Sequence, residues 1–235
     1  MASDIPGERG ARISLEGAVA VVTGASSGIG AATARALHER GARVVVAARR
    51  VERLEELAAE IDGLALSCDV GDWEDVQRLV ARTVEWGGRI DVIVNNAGVG
   101  TFGRLHESDP AAAAAMFRVN VLGVLHGMRA AGERMVKQGS GGIVNVSSIV
   151  GEFPDPGGGA YAASKAAVDL MTRTAYRELR DEGVHVVLVK PALTDTEFSA
   201  VARGTGRRMG GDPPEKVARW ICDALESGSA NAGYR

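Results

Sequence analysis

Apolar residues along the chain fall into two alternating kinds of stretch. Short β-branched runs at Ala18–Val22, Arg43–Ala47, Leu64–Cys68, Ile90–Val94, Ile143–Ser147 and Val184–Lys190 are nearly continuous in apolar residues. That pattern predicts strands covered on both faces. Between them, apolar positions recur at helical spacing over Gly28–Arg40, Val51–Ile61, Trp73–Trp86, Pro110–Val136, Ala160–Asp181 and Pro214–Glu226. Strict alternation of strand and helix predicts an α/β fold: a doubly wound parallel sheet with right-handed crossovers and helices on both faces. After Glu226 only nine residues remain. This is short for a further strand and tail, so the expected sheet has six strands, or seven if the last piece is supplied differently.

No repeat or low-complexity linker divides the 235 residues. The expected organisation is a flexible arm over Met1–Ser14 and a single catalytic domain over 15–235, with a glycine-rich mobile substrate segment at about 197–212. Composition adds limits: 46% hydrophobic and 24% charged residues suit one large core. A formal charge of −3 gives no electrostatic case for nucleic acid or an anionic membrane surface. No apolar run looks long enough to span a bilayer, and the N-terminal stretch lacks the apolar core of a signal peptide. The expectation is a cytoplasmic protein. Cys68 and Cys222 lie in apolar stretches and read as buried thiols. The four histidines are scattered, with no metal-ligand spacing, so no metal is expected.

The chemistry falls at strand ends, where ligands bind in such sheets. Thr23-Gly24-Ala25-Ser26-Ser27-Gly28-Ile29-Gly30 joins the first strand to the first helix. Glycines there let backbone approach a pyrophosphate that faces a helix N-terminus. The second strand ends Ala47-Ala48-Arg49-Arg50. It carries no acid for a ribose 2′-hydroxyl, and guanidinium groups suit a 2′-phosphate instead, which points to NADP(H). Tyr161 and Lys165, at i and i+4, project from one helix face. A free tyrosine, with pKa about 10, is a poor proton shuttle near neutrality. A neighbouring ammonium would stabilise its phenolate.

The glycine spacing, Asn95-Asn96-Ala97-Gly98, Asn120, Ser148 and Tyr161-Ala-Ala-Ser-Lys165 together resemble the classical short-chain dehydrogenase/reductase (SDR) family, over about Gly17 to Asp195. The resemblance implies a Rossmann-type oxidoreductase interconverting a ketone or aldehyde and an alcohol. Its catalytic tetrad would be Asn120, Ser148, Tyr161 and Lys165, with Tyr161 the general acid/base. Ser148 is selected over Ser147 by its thirteen-residue separation from Tyr161. The cofactor would be held by Gly24, Ser26, Ser27, Gly28, Ile29 and Gly30. Arg49, assisted by Arg50, would read the phosphate. Asp69 and Val70 would contact adenine, and Asn96, Ala97 and Gly98 the adenosine ribose. Tyr161, Lys165, Pro191, Thr194 and Thr196 would face the nicotinamide half.

Pro191-Ala192 stands where the family has Pro-Gly, so the following loop is expected to differ slightly. The implied partners are a small-molecule carbonyl or alcohol substrate and further copies of the chain, as a homodimer or homotetramer through the two long helices. Two rival functions share the scaffold: a dehydratase or epimerase, and an NADP(H)-binding redox sensor without turnover.

Overall fold

A computed structural model describes residues 9–198 and 211–233. Seven parallel strands form one sheet: β1 (Val19–Thr23), β2 (Arg43–Ala48), β3 (Leu64–Ser67), β4 (Val92–Asn95), β5 (Gly141–Val146), β6 (Val184–Lys190) and β7 (Asn231–Gly233). Their spatial order is β3-β2-β1-β4-β5-β6-β7. The order reverses between β1 and β4, which opens a crevice at the carboxyl ends of these strands. The expected Rossmann-type sheet is present, and its strands lie within about two residues of the predicted runs.

Successive strand residues face opposite layers. Ala20, Val22, Val44, Val46, Val92 and Val94 pack with Leu37 of α1 (Gly28–Glu39), Leu54 of α2 (Val51–Glu60) and Ile221 of the C-terminal helix, named below. Val21, Val45, Ile93 and Ile143 face the other way. They meet Leu79 of α3 (Trp73–Gly87) and Tyr176 of a helix over Gly159–Leu179. Both layers are therefore dry, as the unbroken apolar runs require. The two cysteines are free buried thiols, one in each layer. Helix starts are local: the Asp72 carboxylate accepts hydrogen bonds from the amides of Glu74 (2.9 Å) and Asp75 (3.1 Å) at the head of α3.

Three expectations need correction, and the strand number, left open as six or seven, is seven among the described residues. The helix predicted over Pro110–Val136 is α4 (Pro110–Phe117), a π-helical turn (Arg118–Leu122) and α5 (Gly123–Gln138). The wider turn rotates Asn120 inward, where it is fully buried. By length and composition, Pro110–Gln138 is also apolar enough to cross a membrane, contrary to the reading above. In the fold, Met128 and Met135 of this stretch pack in the second core layer. A seventh strand does form from the short C-terminus. After α6 (Gly159–Leu179) and α7 (Pro214–Ser227), β7 pairs Asn231 with Leu188 and Gly233 with Lys190. Three residues are enough because β6 offers a complete open edge. Finally, the arm is not loose over its described part. The amides of Gly10 and Ile13 donate to the carbonyls of Gly228 and Leu225, each at 2.9 Å. Most of the segment read as mobile lies outside the described residues. Its ends are described, and Thr194 bridges Asp212.

Candidate active site

The glycine-rich turn is built by contacts between the ends of β1 and β4. The Thr23 hydroxyl donates to the Val94 carbonyl (3.1 Å) and accepts from the Asn96 amide (3.1 Å). The Asn96 side chain donates to the carbonyls of Thr23 (3.0 Å) and Gly24 (3.3 Å). Gly24 and Gly28 have φ of +65° and +55°, the left-handed region that favours glycine. Gly30 is needed for closeness: a Cβ there would lie 2.4 Å from the Gly24 carbonyl oxygen and 2.6 Å from the Asn96 amide nitrogen. Gly30→Ala is therefore expected to destabilise the fold by ~1–3 kcal/mol, the usual range for overpacking. Thermal denaturation measures it, and an unchanged midpoint would contradict the close approach.

The turn opens into a hollow of about 960 Å³ at the carboxyl ends of the strands. Ser26, Ser27, Ile29, Arg49, Arg50 and Val70 line one end, with Asp69, Ala97 and Gly98 beside them. Ser148, Tyr161, Lys165, Pro191, Thr194 and Thr196 line the other. Gly30 and Asn120 stand behind the surface: Gly30 holds the turn, and Asn120 lies beneath Gly98. A Cβ on Gly98 would lie 3.5 Å from Asn120 Oδ1 and 3.7 Å from Lys165 Nζ. Gly98 thus presents bare backbone to the hollow over Asn120 and Lys165. Together with the N-terminus of α1, these residues fit a nicotinamide dinucleotide.

At the phosphate end, Arg50 rather than Arg49 is tied to the turn. Its guanidinium donates to the hydroxyls of Ser26 (2.9 and 3.1 Å) and Ser27 (2.8 Å). Asp69, expected against adenine, has its carboxylate engaged by the Gly71 amide (2.9 Å) and Arg118 (2.8 Å). Burial would raise its pKa, but these two contacts outweigh it and hold the carboxyl below the usual range.

At the other end, α6 delivers Tyr161 and Lys165 one turn apart, facing Ser148 after β5. The Ser148 hydroxyl accepts from the Val150 amide (3.4 Å) and stands close enough to the Tyr161 phenol to lower its pKa. The Ser147 hydroxyl turns away and donates to the Lys165 carbonyl (3.2 Å). Lys165 Nζ donates to the Val146 carbonyl (3.0 Å) and lies 5.7 Å from the Tyr161 ring centroid. Burial pushes the Lys165 ammonium down to about 8, opposed by the nearby Asp169 carboxylate. Burial also raises the Tyr161 pKa above its ordinary value, with the Ser148 hydroxyl pulling it back. The Lys165 ammonium, expected to stabilise the phenolate, is held by the Val146 carbonyl, and burial governs the phenol. The pair therefore presents a neutral phenol, which can donate a proton, beside an amine that titrates near neutrality.

Asn120 accepts from the Val99 amide (2.8 Å) and donates to the Ser164 hydroxyl (3.1 Å). Ser164 in turn donates to the Tyr161 carbonyl (2.7 Å), linking the π turn to α6. Sequence reasoning missed Ser164, although it stands inside Tyr161-Ala-Ala-Ser-Lys165. It also missed Phe198, whose ring lies 5.4 Å from that of Tyr161, with Phe102 at 5.6 Å on the same residue. No local pattern marks Phe198, because only the tertiary fold brings it to α6. Ala192 is accommodated without left-handed backbone: among the described residues only Asp62 is a non-glycine with positive φ.

Residues 18–205 match the short chain dehydrogenase family model. The chain is 39% identical over 225 residues to the 3-oxoacyl-[acyl-carrier-protein] reductase FabG of Thermotoga maritima, covering 88% of this chain and 89% of that one. It is also 39% identical over 193 residues to an uncharacterized oxidoreductase of Staphylococcus saprophyticus, covering 80% and 82% of the two chains. Among solved structures, a Burkholderia phymatum SDR in complex with NAD superposes with a TM-score of 0.89 at 31% identity, covering 94% of this chain and 89% of that one. An alcohol dehydrogenase from the archaeon Thermococcus sibiricus, complexed with 5-hydroxy-NADP, gives 0.84 at 30%, covering 93% and 96%. Sequence, sheet order and site placement agree, and the chain belongs to the classical short-chain dehydrogenase/reductase family of nicotinamide-dependent oxidoreductases.

Proposed function

We propose that the protein interconverts a ketone or aldehyde and an alcohol with NADP(H), using Tyr161 as general acid/base. The observation that carries this reading is the meeting of the Ser148 hydroxyl, the Tyr161 phenol and the Lys165 ammonium in the hollow that begins at the glycine-rich turn. When bound, the cofactor supplies or accepts a hydride at the substrate carbon. Ser148 holds the substrate oxygen and stabilises charge developing on it. Tyr161 gives that oxygen a proton, and in the reverse direction takes it back. Lys165, with its pKa near 8, is able to return a proton to the phenol at neutral pH. Asn120 and Ser164 hold the backbone on which this pair stands. Phe102, Phe198 and Leu193 give the substrate end apolar walls, which suits a weakly polar carbonyl compound. The partner would be a second copy of the chain, since Leu122, Leu125 and Leu170 are exposed on the π turn, α5 and α6.

The preference for the phosphorylated cofactor is supported by Arg49 and Arg50 and by the absence of an acid at the end of β2. NADPH consumption across a panel of carbonyl compounds tests turnover. Silence across the panel with tight NADPH binding would replace the oxidoreductase by a sensor. Replacing Arg49 and Arg50 together by Gln is expected to raise the NADPH KM by about 10–100-fold, the loss of one or two charge-assisted hydrogen bonds. The NADH KM should move less than about twofold. An unmoved cofactor ratio would overturn the assignment.

A further inference from the structure

Glu197, helical with Phe198 at the end of the described stretch, reaches the cofactor-phosphate end. Its carboxylate oxygens lie 3.0 Å from Arg50 Nη1 and 2.7 Å from Arg53 Nη1. The Arg53 and Arg50 contacts, in that order, hold the Glu197 carboxyl below its usual range, so it is charged at neutral pH. Arg50 simultaneously donates to the hydroxyl oxygens of Ser26 and Ser27. Those hydroxyls keep their own protons to donate to an anion. Two guanidinium groups thus hold one carboxylate, and one of them also stands on two hydroxyls of the glycine-rich turn, a donor set that a phosphate would recruit.

Resting on the NADP(H) reading above, we infer that Glu197 occupies the subsite of the cofactor's 2′-phosphate and competes with it for Arg50 and Arg53. This makes Glu197 a specificity-determining residue and adds Arg53 to the phosphate-reading groups. A phosphate monoester carries more charge than a carboxylate and has three acceptor oxygens, so it displaces Glu197. A cofactor without the phosphate leaves the carboxylate in place. Phe198 is the next residue and stacks near Tyr161. The residue that gives way to the phosphate is therefore the neighbour of the ring that packs on the phenol.

The test is calorimetric titration of the full chain with 2′,5′-ADP and with 5′-ADP. Glu197→Gln removes the competing charge from an exposed position and should leave the fold intact. It is expected to tighten 2′,5′-ADP binding about fivefold, in keeping with release of exposed ion pairs, with 5′-ADP unchanged. Adding Arg53→Gln to that variant should remove the gain. If the wild type prefers 2′,5′-ADP but Glu197→Gln fails to tighten it, the competition is wrong and the NADP(H) reading stands. If the wild type binds both nucleotides equally, the NADP(H) reading fails and takes the competition with it.

Discussion

Tyr161→Phe is expected to lower kcat/KM for carbonyl reduction by about a thousandfold, within the range general acid catalysis supplies, while NADPH affinity changes less than about twofold. The replacement keeps the ring contacts with Phe102 and Phe198 and removes only the hydroxyl beside Ser148. Loss of activity then cannot be assigned to a collapsed pocket. Burial holds the phenol protonated well beyond neutral pH, so the wild type keeps its acid form throughout the physiological range. Steady-state kinetics and a cofactor fluorescence titration on the same preparation separate the two effects. Activity within about tenfold of wild type would remove Tyr161 from the proton-transfer role.

Lys165→Met should abolish turnover and yet stabilise the protein at pH 7. The ammonium is buried on α6 and its pKa falls from the ordinary 10.5 to about 8. Between these values the unfolded chain binds a proton that the native chain releases, so native stability rises with pH across that window. Below about pH 8 the whole penalty is present, ~3 kcal/mol from the size of the shift. Methionine removes it, but the Val146 carbonyl loses its donor, which costs about 1 kcal/mol. The expected net gain is ~2 kcal/mol, or roughly 4–8 °C in Tm for a domain of this size. It should shrink toward zero as pH approaches 10. Calorimetric melts at pH 6, 7, 9 and 10 check both sign and window. A variant that is less stable at every pH would show that packing of the lysine stem outweighs its charge. A group that destabilises the fold is kept, on the proposed mechanism, because it returns a proton to the phenol.

Both effects involve residues that sequence spacing singled out, and the reason is locality. Tyr161 and Lys165 share a helix face because they are four residues apart on α6. Gly24 and Gly28 need positive φ for reasons internal to one turn. The unbroken apolar runs could only be strands buried on both faces, which in turn required parallel order and helical crossovers. Strand and helix assignments, the strand-end position of each motif, the missing acid after β2 and the family resemblance were therefore legible in residue order alone.

What the tertiary structure decided depends on contacts between distant segments. Arg50 and Glu197 are 147 residues apart, and no periodicity links them. The three residues of β7 are a strand only because β6 offers them an open edge. Asn120 turns inward because a π turn interrupts a stretch whose composition reads as continuous helix. The protonation of Tyr161 is decided in the same way. Adjacency on α6 brought an ammonium near, but burial and the Val146 carbonyl decided where its charge points. Local pattern determined which elements form and which chemical groups stand at their ends; solvent exclusion and long-range hydrogen bonds determined the charge states of those groups and their partners.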